Sequence, residues 1–506
     1  MEARSIPRRD RYDVVVIGSG LGGLSAAAFL ASSGRTALVV ERLPRPGGYA
    51  ASFERGDYVF DPAIHVIAQG EGLLLTKLLA YLGVADQCRL RPTGSFFEAR
   101  FPDLRFRAPV GAEEYVAAHV ECFGGDADAG VRRLLELSEQ LHREVHQLPP
   151  SLSLRELEDA VKRFPTLFEY RNATLAQVLD ECMTDPRLKA AVSAFWPYLG
   201  LPPAKLSFFT CTTPLVNLTR EGTFQCEGST QRLVDALVAG VERHGGELVL
   251  DNGAVKVAVD DGRVAGVVLA DGTQVQAPVV VSSADARHTF HDLVGAEHTP
   301  PAFMRRLGRM RPSVSAVVIF AAMKGLDRSL AHQTFVHRHW SHEENYNDVL
   351  EGRPGGVWLS LPTLRDDTLA PPGEDLLIFT AMARHDAVRT PAERDRFVEE
   401  VLDSYADVVP DLRDGLTFLE TATPRTLARY AGNRDGAIYG WENSPAQAGS
   451  RRMHHRTPIG GLFLCGHWTQ PGSGAFRVVF SGIETTLNVL GAGYADQFLR
   501  DLGLLA

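Results

Sequence analysis

Three glycines and one acidic residue near the start of the chain have the types and spacing that most clearly imply chemistry. Gly18, Gly20 and Gly23 form a G-x-G-x-x-G motif after a β-branched run, and Glu41 follows a second apolar run. Such glycines permit a tight turn, a close backbone approach to a pyrophosphate and close packing of the next helix. The helix N-terminus then offers free N–H groups to phosphates. This order of elements predicts a dinucleotide-binding βαβ unit.

The acidic residue also bears on which dinucleotide is bound. The Glu41 carboxylate can accept hydrogen bonds from both ribose hydroxyls of an adenosine, and it would repel a 2′-phosphate. The adjacent Arg42 weakens that discrimination. A chance glycine-rich turn is the alternative, and the agreement of both strands, the helix and the terminal acid argues against it.

A second glycine-rich junction lies near the end of the chain. Gly466, Gly472 and Gly474 separate a strand-like run from a long helical pattern, so another helix N-terminus is expected to face a ligand. Together with the Pro-Gly-Gly loop at 46–48, the two junctions suit FAD. The first holds the ADP half, and the second lies beside the ribityl chain and the isoalloxazine ring. A plain capped helix is the alternative at the second junction.

Composition places the chain among globular proteins. Its 506 residues predict two or three domains, and 45% hydrophobic with 23% charged residues is typical of soluble chains. The net charge of −10 argues against general nucleic-acid binding. Six scattered cysteines without a C-x-x-C pair, and an isolated His454-His455 pair, indicate neither a disulfide scaffold nor a metal site.

The same features predict a cytoplasmic location. No stretch has the ~20 apolar residues that a membrane-spanning helix needs. Residues 1–12 are polar and basic, and the apolar run that follows them contains the patterned glycines. These residues are therefore expected to form a loose tail and not a secretion signal.

The remaining patterns mix strands and helices and predict an α/β fold with interleaved domains. A meander of short strands at 247–281 returns to the nucleotide-binding sheet, and a β-rich stretch lies near 96–107. A second sheet is predicted from strands at 313–323, 355–362 and 374–383. Helical spacing occurs at 73–83, 113–145, 151–195, 231–244 and 391–408.

With these motifs in place, the chain resembles the phytoene desaturase-like flavoproteins, and more closely their branch of carotenoid isomerases and retinol saturases. The resemblance extends over nearly the whole chain. Beyond the βαβ unit, the matching segments are PGG (46–48), FDPAIHVI (60–67), AFWPYLGLPPAKLSFF (194–209), the EGST-led helix (227–244), SLPTLRDDTLAPPG (360–373) and PGSG…SGIETT (471–486).

The resemblance implies a Rossmann-type FAD-binding domain of the amine-oxidase/GDI-like superfamily, interleaved with an α+β substrate domain. The FAD-binding domain would be discontinuous, comprising 12–75, 225–300 and 415–500. The substrate domain, with a helical lid, would comprise 76–224 and 301–414.

Carried over position by position, the resemblance also implies the residues that hold FAD without a covalent link. The ADP portion would be bound by Gly18, Ser19, Gly20, Gly23, Glu41 and Arg42, with Val255 meeting the adenine through its backbone. The flavin side and the pyrophosphate would be approached by Gly47, Gly48, Gly466, Gly472 and Gly474. Members commonly have an acid directly after the glycine matching Gly466, whereas this chain has His467. That departure leaves the ribityl contact open.

Two histidines are candidates for catalysis. His65 follows the loop expected near the flavin ring, and a histidine can exchange a proton near neutral pH. His467 and the adjacent Trp468 would shape the pocket beside the flavin. The alternatives are a structural, hydrogen-bonded His65 and a loop that only packs against the last long helix. Arg477 and Glu484, on that helix, are expected to be exposed or paired.

The aromatic segment at 195–216 is the candidate substrate pocket. Together with Trp468, an apolar tunnel would be lined by Phe195, Trp196, Tyr198 and Phe208. The same residues would serve equally as core between helices. A third use is shallow membrane contact, since burying ~300 Å² of apolar surface gives at most roughly 7 kcal/mol. The three uses stay open.

The resulting hypothesis is an FAD-dependent desaturase, saturase or isomerase of an apolar, conjugated isoprenoid or polyene, with hydride transfer at flavin N5. An oxidase of an amine or another small secondary metabolite is the first alternative, because a fold does not fix a substrate. A non-catalytic prenyl-binding escort is the second, and the flavin-side glycines argue against it. The expected partner is a small apolar substrate, without nucleic acid or metal, and the oligomeric state stays open.

Overall fold

The computed structural model describes residues 5–69, 72–147 and 154–502. Residues 1–4 of the predicted tail and 151–153 of a predicted helical stretch lie outside these ranges. The strands are β1 (Val14–Ile17), β2 (Ala37–Val40), β3 (Phe53–Arg55), β4 (Tyr58–Phe60), β5 (Leu90–Pro92), β6 (Phe97–Phe101), β7 (Leu104–Ala108), β8 (Phe224–Cys226), β9 (Glu247–Val249), β10 (Ala254–Asp260), β11 (Arg263–Leu269), β12 (Gln274–Gln276), β13 (Val279–Ser282), β14 (Ser315–Lys324), β15 (Gln333–Val336), β16 (Gly355–Ser360), β17 (Glu374–Ala383), β18 (Leu416–Ala422) and β19 (Leu462–Leu464). The helices are α1 (Leu21–Ser32), α2 (Leu74–Tyr81), α3 (Ala112–Phe123), α4 (Asp126–Gln147), α5 (Leu154–Arg163), α6 (Pro165–Tyr170), α7 (Leu175–Cys182), α8 (Pro186–Val192), α9 (Phe208–Glu221), α10 (Gln231–Arg243), α11 (Ala286–His288), α12 (Pro301–Arg309), α13 (His342–Leu350), α14 (Pro391–Ser404), α15 (Leu412–Gly415), α16 (Pro424–Ala431), α17 (Ala475–Leu490) and α18 (Ala492–Asp501).

The first βαβ unit forms the centre of a parallel sheet, with strand order β19-β13-β1-β2-β9. Alternate residues of β1 face opposite layers. Val14 and Val16 pack with α1, α10 and α17, whereas Val15 and Ile17 pack with the β10–β12 meander. Because both faces of the strand are buried, its sequence is a continuous apolar run without polar alternation.

Helix α1 packs closely against α17 near the carboxyl end of β1. A Cβ added to Gly22 would lie 2.9 Å from the Gly466 Cα, and one added to Gly482 would lie 2.5 Å from the Gly22 carbonyl oxygen. Glycine is therefore needed on both helices for this approach. The packing brings the first and the last glycine-rich junctions of the chain together.

The second sheet is mixed and has the order β18-β14-β17-β16-β15-β6-β7. Its strands β14, β16 and β17 fall where the sequence predicts them, and the β6–β7 hairpin extends the sheet. One face is covered by α14 through Phe397 and Val401. The other face carries Val318 and Phe320 and packs against Phe60 of β4, the strand that follows the nucleotide-binding unit.

Helices α3–α9 pack together against β6 in a third core. The predicted helix at 113–145 is two helices, α3 and α4, because Gly124 adopts a φ of +86° between them. Helix α9 was not predicted, and it contains Pro214, a residue that helix interiors disfavour. The boundaries proposed for the interleaved domains remain a prediction. Within the described ranges, no helix combines the length and apolar character needed to cross a membrane.

Candidate active site

The turn between β1 and α1 has the geometry that its glycines predict. Gly18 has a φ of +89°, in the left-handed region that favours glycine. A Cβ added to Gly23 would overlap the Gly18 carbonyl oxygen, so the fold itself requires this glycine. A Cβ added to Gly20 would meet no protein atom within 4 Å, and its φ of −62° is ordinary. The fold therefore does not explain why residue 20 is a glycine, whereas close approach of a ligand would.

Glu41 follows β2 and holds this turn in place. Its Oε2 accepts hydrogen bonds from the Ser19 backbone N–H at 2.9 Å and from the Ser19 hydroxyl at 2.7 Å. Its Oε1 accepts from the Leu43 N–H at 3.0 Å. Arg42 donates from Nη2 to two carbonyl oxygens at the end of α16, at 2.7 and 2.6 Å. The acidic residue thus organises the turn, and contact of Glu41 or Arg42 with an adenosine stays a prediction.

Two further glycine-rich segments meet the turn. Gly20 and Gly47 form an isolated parallel β-bridge, and a Cβ added to Gly48 would lie 3.3 Å from the Gly20 Cα. From the other side, Gly466 lies against Gly22 of α1. Three segments that are far apart in sequence therefore converge at the carboxyl edge of the parallel sheet, where α/β proteins bind their ligands.

A cavity of about 570 Å³ extends from this meeting point. Its nucleotide end, at the edge of the parallel sheet, is lined by Gly18, Gly20, Glu41, Arg42, Gly253, Ala254, Ser283 and Asp285. Its centre is lined by Gly22, Gly47, Gly48, Tyr49, Gly466, His467 and Gly474. Its substrate end is lined by Ala63, Ile64, His65, Val66, Tyr198, Leu199, Thr213, Asn217, Trp358, Tyr439 and Arg477.

This lining fits a dinucleotide that carries a flat ring. The N-termini of α1 and α17 face the same cavity, and each offers free N–H groups and a partial positive charge to phosphates or to a ring that gains negative charge. The glycines at the centre leave backbone, not side chains, along the wall. Beyond the centre the wall changes to aliphatic and aromatic side chains, which suits an apolar molecule placed next to the ring.

Four predicted cofactor residues do not line the cavity. Ser19 bonds to Glu41 and Gly23 packs against the Gly18 carbonyl, so both stabilise the turn without facing the cavity. Gly472 packs against the Arg452 side chain, with an added Cβ only 3.4 Å from it. Val255 is 53% exposed, and its neighbours Gly253 and Ala254 form the cavity wall instead. The contact predicted between the Val255 backbone and an adenine stays a prediction.

Of the five aromatic side chains predicted to line the substrate pocket, Tyr198 lines the cavity and four do not. The indole N–H of Trp196 donates to His342 Nδ1 at 2.9 Å, and that of Trp468 donates to Asn433 Oδ1 at 3.0 Å. Both indoles are therefore satisfied inside the protein. Phe195, Trp196, Phe208 and Trp468 are buried in the core and do not line this cavity, so their contact with a substrate stays a prediction. An aromatic run does not reveal which of its members face a cavity.

His65 lies on the wall of the substrate end. Its Nε2 is 3.3 Å from the Thr380 hydroxyl, and its buried Nδ1 has no hydrogen-bond partner in the described part of the chain. Burial lowers the pKa of its imidazole to about 4. The ring is therefore neutral at pH 7 and is a weaker base than the sequence suggests. Its proton-transfer role stays a prediction.

His467 lies at the centre of the cavity, beside Tyr49, with ring centres 6.1 Å apart. Burial and the positive charge of Arg452 lower the pKa of its imidazole to about 3. Its backbone carbonyl accepts a hydrogen bond from Arg452 Nη2 at 2.6 Å. Arg452 also donates to the carbonyls of Tyr439 and Thr469, at 3.2 and 3.0 Å. This buried arginine fixes the loop before α17, and no sequence motif pointed to it.

Arg477 departs from its expected position. It lines the cavity and is half-buried, whereas Glu484 accepts from His455 Nε2 at 3.1 Å. Sequence reasoning also missed Thr213 and Asn217, which lie on one face of α9. Their i, i+4 spacing is a signal only once residues 208–221 are read as a helix.

The sequence as a whole matches the family of flavin-containing amine oxidoreductases over residues 21–490. The chain therefore belongs to that family and is a flavin-dependent oxidoreductase.

Its relatives include carotenoid-modifying enzymes, as the resemblance implied. A lycopene-forming phytoene desaturase from Paracoccus sp. (strain N81106 / MBIC 01143) is 27% identical over 93% of this chain and 96% of the relative. A chloroplastic prolycopene isomerase 2 from an Oncidium hybrid cultivar is 27% identical over 95% of this chain and 84% of the relative. A solved oxidoreductase from Methanosarcina mazei shares the fold, with a TM-score of 0.62, 18% identity and coverage of 93% and 99% of the two chains.

Proposed function

We propose that the protein binds FAD without a covalent link and uses it to desaturate, saturate or isomerise an apolar, conjugated isoprenoid or polyene. The observation that carries this proposal is the single cavity that joins the glycine turn at Gly20 to a wall of apolar side chains. With its pyrophosphate at that turn, a flavin dinucleotide would have its ring toward that wall. The two relatives named above, a desaturase and an isomerase of carotenes, support the same substrate class.

When bound, the flavin would supply hydride transfer or electron density to the substrate. The residues of the chain have supporting tasks. Ile64, Leu199 and Trp358 would exclude water and hold the apolar chain against the ring. The Tyr198 hydroxyl donates to Gln333 Oε1 at 2.5 Å, so the phenol ring is held in one orientation on the wall.

His65 would be the residue that holds or receives a proton at this end. Its Nδ1 is the unpartnered ring nitrogen, whereas Nε2 is occupied by Thr380. With a pKa of about 4, the imidazole is neutral at pH 7. In the tautomer whose Nε2–H donates to Thr380, Nδ1 can accept a proton or a hydrogen bond.

Amine oxidation is less well supported. Among the residues that line the described cavity, the carboxylates are Glu41 and Asp285, both at the nucleotide end. Glu41 is bonded to the turn, and Asp285 accepts from the Arg287 and Arg434 N–H groups at 2.7 and 2.9 Å. The substrate end instead carries the cationic Arg477. An ammonium group would therefore meet repulsion there and no counter-ion.

The test is anaerobic mixing of the FAD-loaded protein with two substrate panels, one of acyclic and retinoid polyenes and one of primary amines and diamines. The expected result is loss of the flavin band at about 450 nm with a polyene, or a changed polyene when the flavin is reduced beforehand. The amines should leave the band unchanged. Bleaching by amines alone would favour the oxidase alternative, and tight polyene binding by a protein that takes up no FAD would favour an escort.

A further inference from the structure

One corner of the substrate end is polar although the rest of its wall is largely apolar. Thr213 and Asn217 of α9 and Arg477 of α17 line the cavity there. Thr213 and Asn217 are four residues apart, so they lie on the same face of their helix. Within the described ranges, neither of these two side chains has a hydrogen-bond partner in the protein. The Thr213 hydroxyl and the Asn217 amide therefore line the cavity and are available to hydrogen-bond a ligand.

Arg477 lies near a backbone carbonyl that the proline inside α9 leaves without a helical partner. Pro214 has no N–H, so the Thr210 carbonyl, four residues earlier, loses its helical partner. Arg477 Nη1 donates toward that carbonyl at 3.5 Å, the outer limit of a hydrogen bond. In the described part of the chain the guanidinium makes no other hydrogen bond and no ion pair. At least four of its five N–H donors are left for another group.

Such a cation needs an anionic partner. Burial lowers the pKa of the Arg477 guanidinium to about 10, so the group is still charged at neutral pH. Glu484, on the same helix, has an opposite but smaller effect and is bonded to His455. An enclosed charge without a hydrogen-bonded counter-ion is costly, and a carboxylate can engage a guanidinium through two parallel hydrogen bonds.

We propose that Arg477, Thr213 and Asn217 bind a carboxylate carried by the otherwise apolar substrate. This inference rests on the proposed function and narrows its substrate class from a polyene to a polyene acid. Thr213 and Asn217 lie on α9, which packs among α3, α4, α6 and α7, and Arg477, on α17, approaches the Thr210 carbonyl of α9. The anion is for that reason assigned to the substrate and not to the pyrophosphate of the cofactor, whose expected position is the turn at Gly20.

The test compares two probes that share one polyene chain, all-trans-retinoic acid and its methyl ester. Their dissociation constants are measured calorimetrically on the full-length protein after incubation with FAD. We expect the wild type to bind the acid about tenfold more tightly than the ester. Arg477→Met should bring the two constants within about twofold, and Arg477→Lys should retain part of the preference as a point charge. The matched control is Arg220→Met, on the exposed face of α9, which should keep the wild-type preference.

FAD affinity is the second measurement, and it distinguishes a substrate carboxylate from the pyrophosphate of the cofactor as the anion that Arg477 binds. FAD affinity is titrated for each variant, and for Arg477→Met it should stay within about twofold of the wild type. A tenfold or larger loss of FAD affinity, with no preference for the acid in the wild type, would assign Arg477 to the cofactor and overturn the proposal. Equal binding of acid and ester by the wild type would overturn it even if Arg477→Met failed to fold.

If the proposed function is wrong, a different measurement fails. The flavin band would then be absent, or no polyene would react, whereas the acid-to-ester ratio is obtained from heats of binding in either case. A preference for the acid that disappears in Arg477→Met would support the carboxylate site independently of turnover.

Discussion

The two ends of the cavity are built in opposite ways. At the nucleotide end the wall is largely backbone, set by glycines and by a carboxylate that bonds to the neighbouring turn. At the substrate end the wall is made of side chains from six separate segments, including Ile64, Tyr198 and Arg477. The shape of the first end therefore depends on backbone, whereas that of the second depends on the identity of its side chains. One fold can in this way combine the same kind of nucleotide site with different substrate sites.

The largest expected effect comes from the glycine that the fold itself needs. In Gly23→Ala the new methyl overlaps the Gly18 carbonyl oxygen and forces β1 and α1 apart. We expect the free energy of unfolding to fall by about 3 kcal/mol or more, with flavin binding lost. Thermal melts with and without FAD measure both. The matched control is Gly308→Ala, an exposed glycine in α12 whose added Cβ touches nothing, and it should be neutral or slightly stabilising. A stable, flavin-binding Gly23→Ala would contradict the packing described for this end.

Gly20→Ala separates cofactor binding from folding at the same turn. Its added methyl meets no protein atom, so the melting temperature should match that of the wild type. The backbone here is expected to contact the pyrophosphate, and a Cβ would hold it away, so FAD affinity should fall about 100-fold. The two quantities are measured by thermal melt and by fluorescence titration. Wild-type FAD affinity in this variant would place the pyrophosphate elsewhere.

Glu41→Gln should weaken FAD binding less than Gly20→Ala does. The amide keeps part of the bonding to Ser19 but loses the charge that favours both the turn and a ribose hydroxyl. We expect a loss of affinity of about 30-fold, equivalent to about 2 kcal/mol. Polyene binding at the far end should not change, and a loss there of similar size would show that the two ends are not independent.

His65→Gln addresses the substrate end. The amide can still bond to Thr380, but it cannot accept a proton in the way the imidazole Nδ1 can. Turnover, or the rate of flavin reduction by substrate in a single turnover, should fall about tenfold, while FAD affinity stays constant. An unchanged rate would contradict a role of His65 in proton transfer and leave it a purely structural role.

The smallest expected effect is a pH dependence of stability. The pKa of His467 is lowered from 6.5 to about 3 in the folded protein, so at pH 5 the unfolded chain binds a proton there and the folded chain does not. This contribution to stability is complete above pH 6.5 and is lost as the pH falls toward 3. His467→Asn should therefore reduce the loss of stability between pH 6.5 and 5 by about 1 kcal/mol per pH unit. Urea denaturation at several pH values provides the comparison, and identical slopes for the variant and the wild type would contradict a buried, neutral His467.

The contrast between the ends also explains what the sequence could predict. The β1–α1–β2 unit, the meander and the strands β14, β16 and β17 were predictable because each depends on local period and local glycines. Gly47 and Gly466 were found for the same reason, and both lie in the cavity wall. The interleaving of an FAD-binding domain with a substrate domain was predicted from the resemblance to a known family and not from local patterns.

The substrate end was predicted less well because its residues depend on long-range packing. Phe195 and Trp196 look like pocket residues in sequence and lie in the core, whereas Arg477 looks like a surface residue and lines the cavity. Its guanidinium approaches the Thr210 carbonyl of α9, more than 260 positions away in sequence. No periodicity or local motif encodes such a contact. The lowered pKa values of two histidines could not be predicted either, because burial lowers that of His65 and burial with the charge of Arg452 lowers that of His467.

The most direct test of a flavin dinucleotide along this cavity is the flavin content of the purified protein after incubation with FAD and removal of the excess. Acid precipitation should release one FAD per chain into the supernatant, and incubation with FMN should leave far less flavin bound. Flavin that remains with the precipitate would contradict non-covalent binding, and a protein that retains no FAD would contradict the cofactor site itself.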